Sequence, residues 1–252
     1  MDKNYCFFLY SHSDYSDCWP LTFGQIYKHV DLDKVDFYFC VNKINNFELD
    51  DRIKIIFYDE LLCYTDRVLY IIKILQLRYE YTLFIHEDWV ITNTYNNSYV
   101  NDLINFMKSN NILHIRSYIN YGPTSINDEI YHKDKSGLKY IPNNAEYFIS
   151  LQPGLWNINT LIEIYSFTST KPNMVEVLSN SNEGFRRKCC FKFLCENIKL
   201  SEDSLLFPHI HTIAYGKWEL NNDFYKVLPS LFKEYKINVK NRGIYYTDRK
   251  EK

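Results

Sequence analysis

The chain has 252 residues, enough to bury a substantial core in one large domain. Its formal net charge of -2, with 24% charged residues and no long Lys/Arg block, argues against a protein that grips a nucleic-acid backbone through clustered cations. No apolar run is long enough for a membrane span, and Met1-Asp2-Lys3-Asn4 lacks the basic flank and apolar run of a signal peptide, so a cytoplasmic protein is expected.

Aromatic residues reach 17%, with 23 Tyr and 17 Phe. Tyrosine suits sugar and base pockets, but plentiful Asn, Ile, Lys and Tyr also fit an AT-rich codon bias, which accounts for most of them. Seven scattered cysteines without a CxxC pair read as reduced thiols, the Cys189, Cys190 and Cys195 group included.

Tyr5 to Tyr10 reads as a first buried strand, followed by the polar loop Ser11-His12-Ser13-Asp14-Tyr15-Ser16-Asp17. There is no GxGxxG and no P-loop. Pro20 opens a helix through Val30. Asp36 to Val41 and Arg52 to Tyr58 read as the second and third strands. Thr65 or Asp66 is the expected N-cap of a helix to about Arg78, with Val68, Leu69, Ile71, Ile72 and Leu75 as its core stripe. Arg67 at its opening is placed to meet a phosphate or the nearby acids, or to form a surface ion pair.

Tyr81 to Ile85 reads as a central strand buried on both faces. It stops at His86 and the adjacent carboxylates Glu87 and Asp88. Open α/β sheets bind ligands beyond the carboxyl ends of their strands, and paired carboxylates suit a hard divalent cation carrying phosphate. The plain alternative is a helix cap or solvated loop acids.

Ser98 to Ser109 reads as a helix and Ile112 to Ile115 as a strand. Residues 117 to 145 read as a long loop or hairpin. Glu146 to Leu151 is strand-like and leads through Gln152-Pro153-Gly154-Leu155-Trp156-Asn157 to a helix over Thr160 to Phe167. Lys171 to Cys195 looks helical, with a break near Ser179 to Asn182. A late strand within Leu205 to Tyr215 carries His209 and His211 on one face. Gly216-Lys217-Trp218 reads as a turn and Phe224 to Tyr235 as the last helix. Asn238 to Lys252 is polar. The division is one domain over 1–245 and a polar tail over 246–252.

Taken together, Tyr10-Ser11-His12-Ser13-Asp14, Tyr64-Thr65-Asp66-Arg67, Leu83-Phe84-Ile85-His86-Glu87-Asp88, Ser150-Leu151-Gln152-Pro153-Gly154-Leu155-Trp156 and Gly216-Lys217-Trp218 resemble small GT-A glycosyltransferases of bacteria and large DNA viruses. The resemblance covers roughly residues 5 to 245. It implies an α/β, Rossmann-like fold with a central, mostly parallel sheet flanked by helices. It also implies transfer from a nucleotide-sugar donor to a glycan or glycoprotein acceptor, in host cytoplasm if the chain is virus-encoded; an inverting outcome is favoured and needs a base, and a retaining outcome, which does not, stays open. Laid onto the family's DxD motif, Asp88 is the last acid, which binds Mn2+ or Mg2+ and through it the donor diphosphate. His86 stands where the family has its first Asp, facing the ribose, and Glu87 is a second ligand candidate. The family's late histidine falls on His211 in preference to His209. Ser11, His12 and Asp14 would border base and ribose, Asp66 and Arg67 the nucleotide, and Gln152 to Trp156 the acceptor.

Lys217 is a candidate second cation for the leaving diphosphate, or a solvated turn lysine. Glu183, at the helix break, is the candidate base for the acceptor hydroxyl, or merely an acid near a helix start. Two other classes remain open. One is a two-metal nucleotidyltransferase or nuclease, which the charge balance disfavours. The other is a degenerate sugar- or partner-binding protein, to which the histidine in place of the first Asp lends support.

Overall fold

The computed structural model describes residues 4–117, 131–132, 135–143, 145, 148–167, 172–196, 206, 208–220 and 227–245. β1 (Tyr5–Tyr10) is buried along its whole length. α1 (Trp19–His29) has Pro20 in its first turn, where the missing N–H costs nothing. β2 (Asp36–Val41) and β3 (Ile53–Phe57) follow. α2 (Tyr64–Gln76) starts after Cys63, and no side chain caps it. The expected caps are inside the helix instead: Thr65 is buried and Asp66 sits in the first turn, favourably placed for the helix dipole.

β4 (Tyr81–His86) is the central strand, and β5 (Trp89–Ile91) continues from it. α3 (Asn97–Asn110) is capped by the Asn96 side chain and ends at Asn111 in the left-handed conformation. β6 (His114–Arg116) precedes a hairpin of β7 (Tyr131–His132) and β8 (Lys135–Tyr140). Most of the long excursion expected over 117–145 lies outside the described residues. β9 (Gly154–Asn157) leads directly into α4 (Ile158–Tyr165).

Here the structure differs from the sequence reading by one element. The strand is Gly154–Asn157; of the expected strand over 146–151, the described residues 148–151 are irregular. Their backbone is satisfied by a side chain: Ile149 N–H donates to Asn180 Oδ1, and Asn180 Nδ2 donates back to the Ile149 carbonyl. Gly154 is needed for close approach, since a Cβ there would lie 2.5 Å from His114 Cε1.

α5 (Pro172–Ser181) and α6 (Glu183–Cys189) are separated at Asn182, which caps α6. The expected helix through Cys195 stops sooner. Phe191 takes a left-handed φ of 59° and the chain turns into β10 (Phe193–Glu196). β11 (His209–His211), β12 (Ile213–Ala214) and β13 (Lys217–Glu219) follow. Tyr215 and Gly216 form the β12–β13 turn, so Lys217 and Trp218 belong to a strand. α7 (Leu228–Glu234) falls within the expected helix, whose residues 224–226 lie outside the described residues. The start of the polar tail is structured: β14 (Ile244–Tyr245) pairs with β13. Residues 246–252 lie outside the described residues.

Among the described residues, nine strands form one mixed sheet in the order β3-β2-β1-β4-β9-β6-β10-β8-β7. β3, β2, β1 and β4 are parallel, and β9 runs antiparallel between β4 and β6. α1 and α3 cover one face, with Phe7, Leu9, Phe37, Leu83 and Ile85 inside. α2, α4, α5 and α6 cover the other, over Cys6, Phe8, Tyr10 and Phe84. The alternation along β1 reflects the two-residue strand period. A third cluster, around Trp218, joins α1, α7, β5 and β11. This is the α/β layering expected. Among the described residues no helix is long and apolar enough to cross a membrane. No two of the seven cysteines form a disulfide.

Candidate functional site

The chain leaves β1 for β2 and β3 on one side, then returns to place β4 on the other. Such a reversal opens a crevice at the carboxyl ends of β1 and β4. Ser11 and His12 end β1; His86, Glu87 and Asp88 end β4.

β5 pairs antiparallel with β11, setting His211 opposite Trp89 and His209 opposite Ile91. This register brings His211 Nε2 to 3.1 Å from Asp88 Oδ2. The other nitrogen, Nδ1, lies 3.2 Å from Glu219 Oε2, which the β12–β13 hairpin folds back. Thr212 fixes the Asp88 carbonyl through its N–H at 2.8 Å and its hydroxyl at 3.0 Å. Burial alone would push the His211 proton off, but the hydrogen bonds to Asp88 and Glu219 outweigh it and raise the imidazole to about 9. His211 is therefore an imidazolium at neutral pH. Burial pulls Asp88 upward, yet the hydrogen bond and charge of His211 win and hold its carboxyl below the usual range. Asp88 Oδ1 is buried and has no hydrogen-bond partner among the described residues.

Glu87 behaves differently from its neighbour. It is 6% exposed, and burial followed by the Asp88 charge drives its carboxyl well above the ordinary range, against smaller opposing pulls from Arg242 and the Ser11 hydroxyl. Its carbonyl accepts from Thr22 Oγ1 at 2.9 Å. The two adjacent acids are thus pushed in opposite directions, Glu87 up by burial and Asp88 down by His211. Among the described residues, no three His, Cys, Asp or Glu side chains are gathered to hold a metal ion. His211 pairs with Asp88 and Glu219, and among the described residues the Glu87 carboxyl makes no ion pair with it. Asp88 and His211 alone fit a Mn2+ or Mg2+ ion that takes its remaining oxygens from phosphate and water, with Asp88 Oδ1 as an unused acceptor. Loading such a site requires His211 to give up its proton.

His86 lies in an aromatic box. Its Nε2 is 2.8 Å from Tyr64 Oη, and Tyr64 Oη is 3.0 Å from Tyr165 Oη. Tyr10 stands edge-on at 5.6 Å and Phe84 packs at 4.9 Å. Burial, with a smaller push from His211, lowers its pKa despite the Asp88 charge, and His86 is neutral. Tyr64 reads in sequence only as part of the Tyr64–Arg67 helix opening, and Tyr165, 101 positions away, looks like an ordinary core residue, so nothing signals that the two hydroxyls meet at His86.

Ser11 is fully buried. Its hydroxyl accepts from Trp19 Nε1 at 2.9 Å and its carbonyl from Tyr58 at 2.7 Å. It shapes the crevice wall. His12 caps the short turn Ser13–Tyr15 through Nδ1, with Glu60 3.5 Å from its Nε2. Among the described residues Arg67 makes neither the expected surface ion pair nor a hydrogen bond with Glu87 or Asp88: it donates to the Glu60 and Leu62 carbonyls and lies over the Tyr58 ring. Asp66 is exposed, with Cys63 Sγ 3.1 Å from its Oδ2. Asp14 and Lys217 line one open groove of about 500 Å³ with Ser16, Asp17, Tyr215 and Arg242. Arg242 pairs with Asp17 and lies over the Tyr15 ring at 4.3 Å. Glu183 is 81% exposed at the first turn of α6 and paired with Arg187 at 2.9 Å. No contact joins it to Asp88 among the described residues, and its position is that of a helix-start acid.

No protein-family model matches the chain, and no curated protein sequence matches it either.

Proposed function

We propose that the chain is a GT-A-type glycosyltransferase that moves a sugar from a nucleoside-diphosphate sugar to a glycan or protein-linked glycan. The observation that carries this reading is the pairing of Asp88 with His211 at the crevice between β1 and β4, with Asp88 Oδ1 left without a partner among the described residues. A divalent cation held there by Asp88 and His211 would offset the negative charge that grows on a departing diphosphate.

This chain's own residues do the rest. Thr212 and Glu219 orient the Asp88–His211 pair, so neither side chain must reorganise to bind. Lys217, exposed at the groove, supplies a cation for phosphate oxygens. His86, neutral and held by Tyr64, presents a ring edge to a ribose. Glu183 has no part in this reading, because its carboxylate is solvent-facing and engaged by Arg187.

One observation favours a second reading, a catalytically degenerate protein that binds a sugar or a partner. His211 is clamped as an imidazolium between two carboxylates, which is a complete structural ion network without a metal. Calorimetric titration of nucleotide sugars, with and without Mn2+, separates the two. Mn2+-dependent donor binding and hydrolysis that Asp88→Asn abolishes support the transferase. Metal-independent binding with no turnover supports the degenerate protein.

A further inference from the structure

The β12–β13 hairpin turns on two residues, Tyr215 and Gly216, because Ala214 pairs with Lys217 across it. Both take a positive φ, 52° and 75°, so the turn is of the mirror-image kind that hairpins favour. Gly216 suits its position. The first position calls for Asn, Asp or Gly, and a tyrosine there holds strained backbone. Burial does not offset that strain, since the side chain is 86% exposed. The ring is nevertheless held in place, edge-on to Tyr245 of β14 with centroids 5.1 Å apart. The turn thus presents a fixed aromatic face at the rim of the open groove of about 500 Å³, a volume usual for a small-molecule site.

The groove adjoins the crevice. Asp14 and Ser16 follow the carboxyl end of β1, and Lys217 opens the strand whose Glu219 holds His211. Its chemistry is two-sided. Among the described residues that line it, Tyr215 is the one aromatic ring, and the other side chains are carboxylates, cations, a hydroxyl and an amide. The carboxylates Asp14 and Asp17 are matched by the cations Lys217 and Arg242, and Arg242 is already tied to Asp17, its Nε 2.8 Å from Oδ2. The groove as a whole therefore has no net charge with which to select an ionic glycan. A planar base has the same apolar surface on both faces and would leave one of them against polar groups. A sugar ring fits both sides, because one face is apolar C–H and its hydroxyls donate as well as accept. We propose that the groove binds a neutral sugar ring of the acceptor glycan, its C–H face on Tyr215 and its hydroxyls on Asp14, Ser16 and Asn241. The sugar's role as acceptor rests on the transferase reading; its binding does not.

Saturation-transfer NMR tests this on the full chain, without Mn2+ or nucleotide, against neutral oligosaccharides of glucose, galactose, mannose and N-acetylglucosamine. At least one is expected to bind with millimolar affinity or better, with transfer strongest at the C–H protons of one sugar face. Tyr215→Asn gives the turn a residue it prefers and takes away the ring. Its thermal midpoint should be unchanged or higher, while the dissociation constant rises by more than about tenfold. Tyr215→Phe, which keeps the ring, should retain binding. Failure of every one of these sugars to bind overturns the proposal, as does equal binding by Tyr215→Asn. Transfer confined to uridine or guanosine monophosphate, or to a sialylated oligosaccharide, overturns it too, since the groove would then select a base or an anion. Absence of sugar binding in a chain that hydrolyses nucleotide sugars with Mn2+ removes this proposal alone. Tyr215-dependent sugar binding in a chain without that hydrolysis supports the groove and removes the transferase reading alone.

Discussion

His211 stands opposite Trp89 in the antiparallel register of β5 and β11, with ring centroids 4.5 Å apart, and this pairing sets its imidazole against Asp88. The link spans 123 positions of sequence. It turns a strand end into a charged site and makes the site sensitive to pH.

The first prediction concerns stability. The His211 imidazole is raised from 6.5 to about 9 in the folded chain. A raised basic group stabilises fully below its unfolded value and loses that contribution as pH climbs through its folded value. The thermal midpoint should therefore fall between pH 6.5 and pH 9. His211→Gln should flatten that slope in a melting series. An unchanged slope in the variant would place the titration elsewhere.

Metal binding should carry a proton signature. His211 must lose its proton to ligate, so loading Mn2+ at pH 7 should release up to about one proton per ion. Titrations in two buffers of different ionisation enthalpy read this directly as a difference in heat. Equal heats would mean that His211 keeps its proton and that the cation sits elsewhere.

Tyr64→Phe removes the hydroxyl that joins His86 to Tyr165. The ring remains, so packing is nearly conserved, and the expected cost is about 1–2 kcal/mol from polar groups left underpaired. On the transferase reading, the donor KM should rise more than kcat falls, because His86 loses its fixed orientation. Chemical denaturation and steady-state kinetics separate the two effects.

Gly24→Ala tests the seam between α1 and the C-terminal region. A Cβ at Gly24 would lie 2.0 Å from Tyr235 Cε1. The ring must move, breaking the 2.9 Å bond from Gln25 Nε2 to the Tyr235 hydroxyl. Overpacking of this sort costs about 1–3 kcal/mol. Tyr235→Ala should relieve the clash, so the double variant should be more stable than the sum of the single losses implies.

Much of the fold is legible because the early strands are apolar and continuous. β1, β2 and β4 each read directly from their residues, and Pro20 marks the start of α1. Reading failed where tertiary contacts replaced local signals. Residues 148–151 look like a strand, but Asn180 supplies the backbone bonds that a neighbouring strand would. Phe193 and Leu194 suit helix or strand equally, and the left-handed Phe191 decides between them. In the site, composition marks the acids at the tip of β4. It does not reveal that Glu87 is buried against Ser11 while Asp88 faces His211, since adjacent residues look alike in sequence. Glu219 was invisible for a related reason: its hairpin reads as a turn, so nothing signals that it folds back onto His211.

Among the described residues, every strand of the nine-stranded sheet lies at or before residue 196, whereas Asp88 meets its counter-charge at His211 and Asp17 meets its own at Arg242, 225 positions away. A chain emerging from the ribosome thus lacks both ion pairs until His211 and Arg242 have been made. The crevice therefore matures after the sheet it stands on, and a message cut short after β10 would yield those strands around an unfinished mouth.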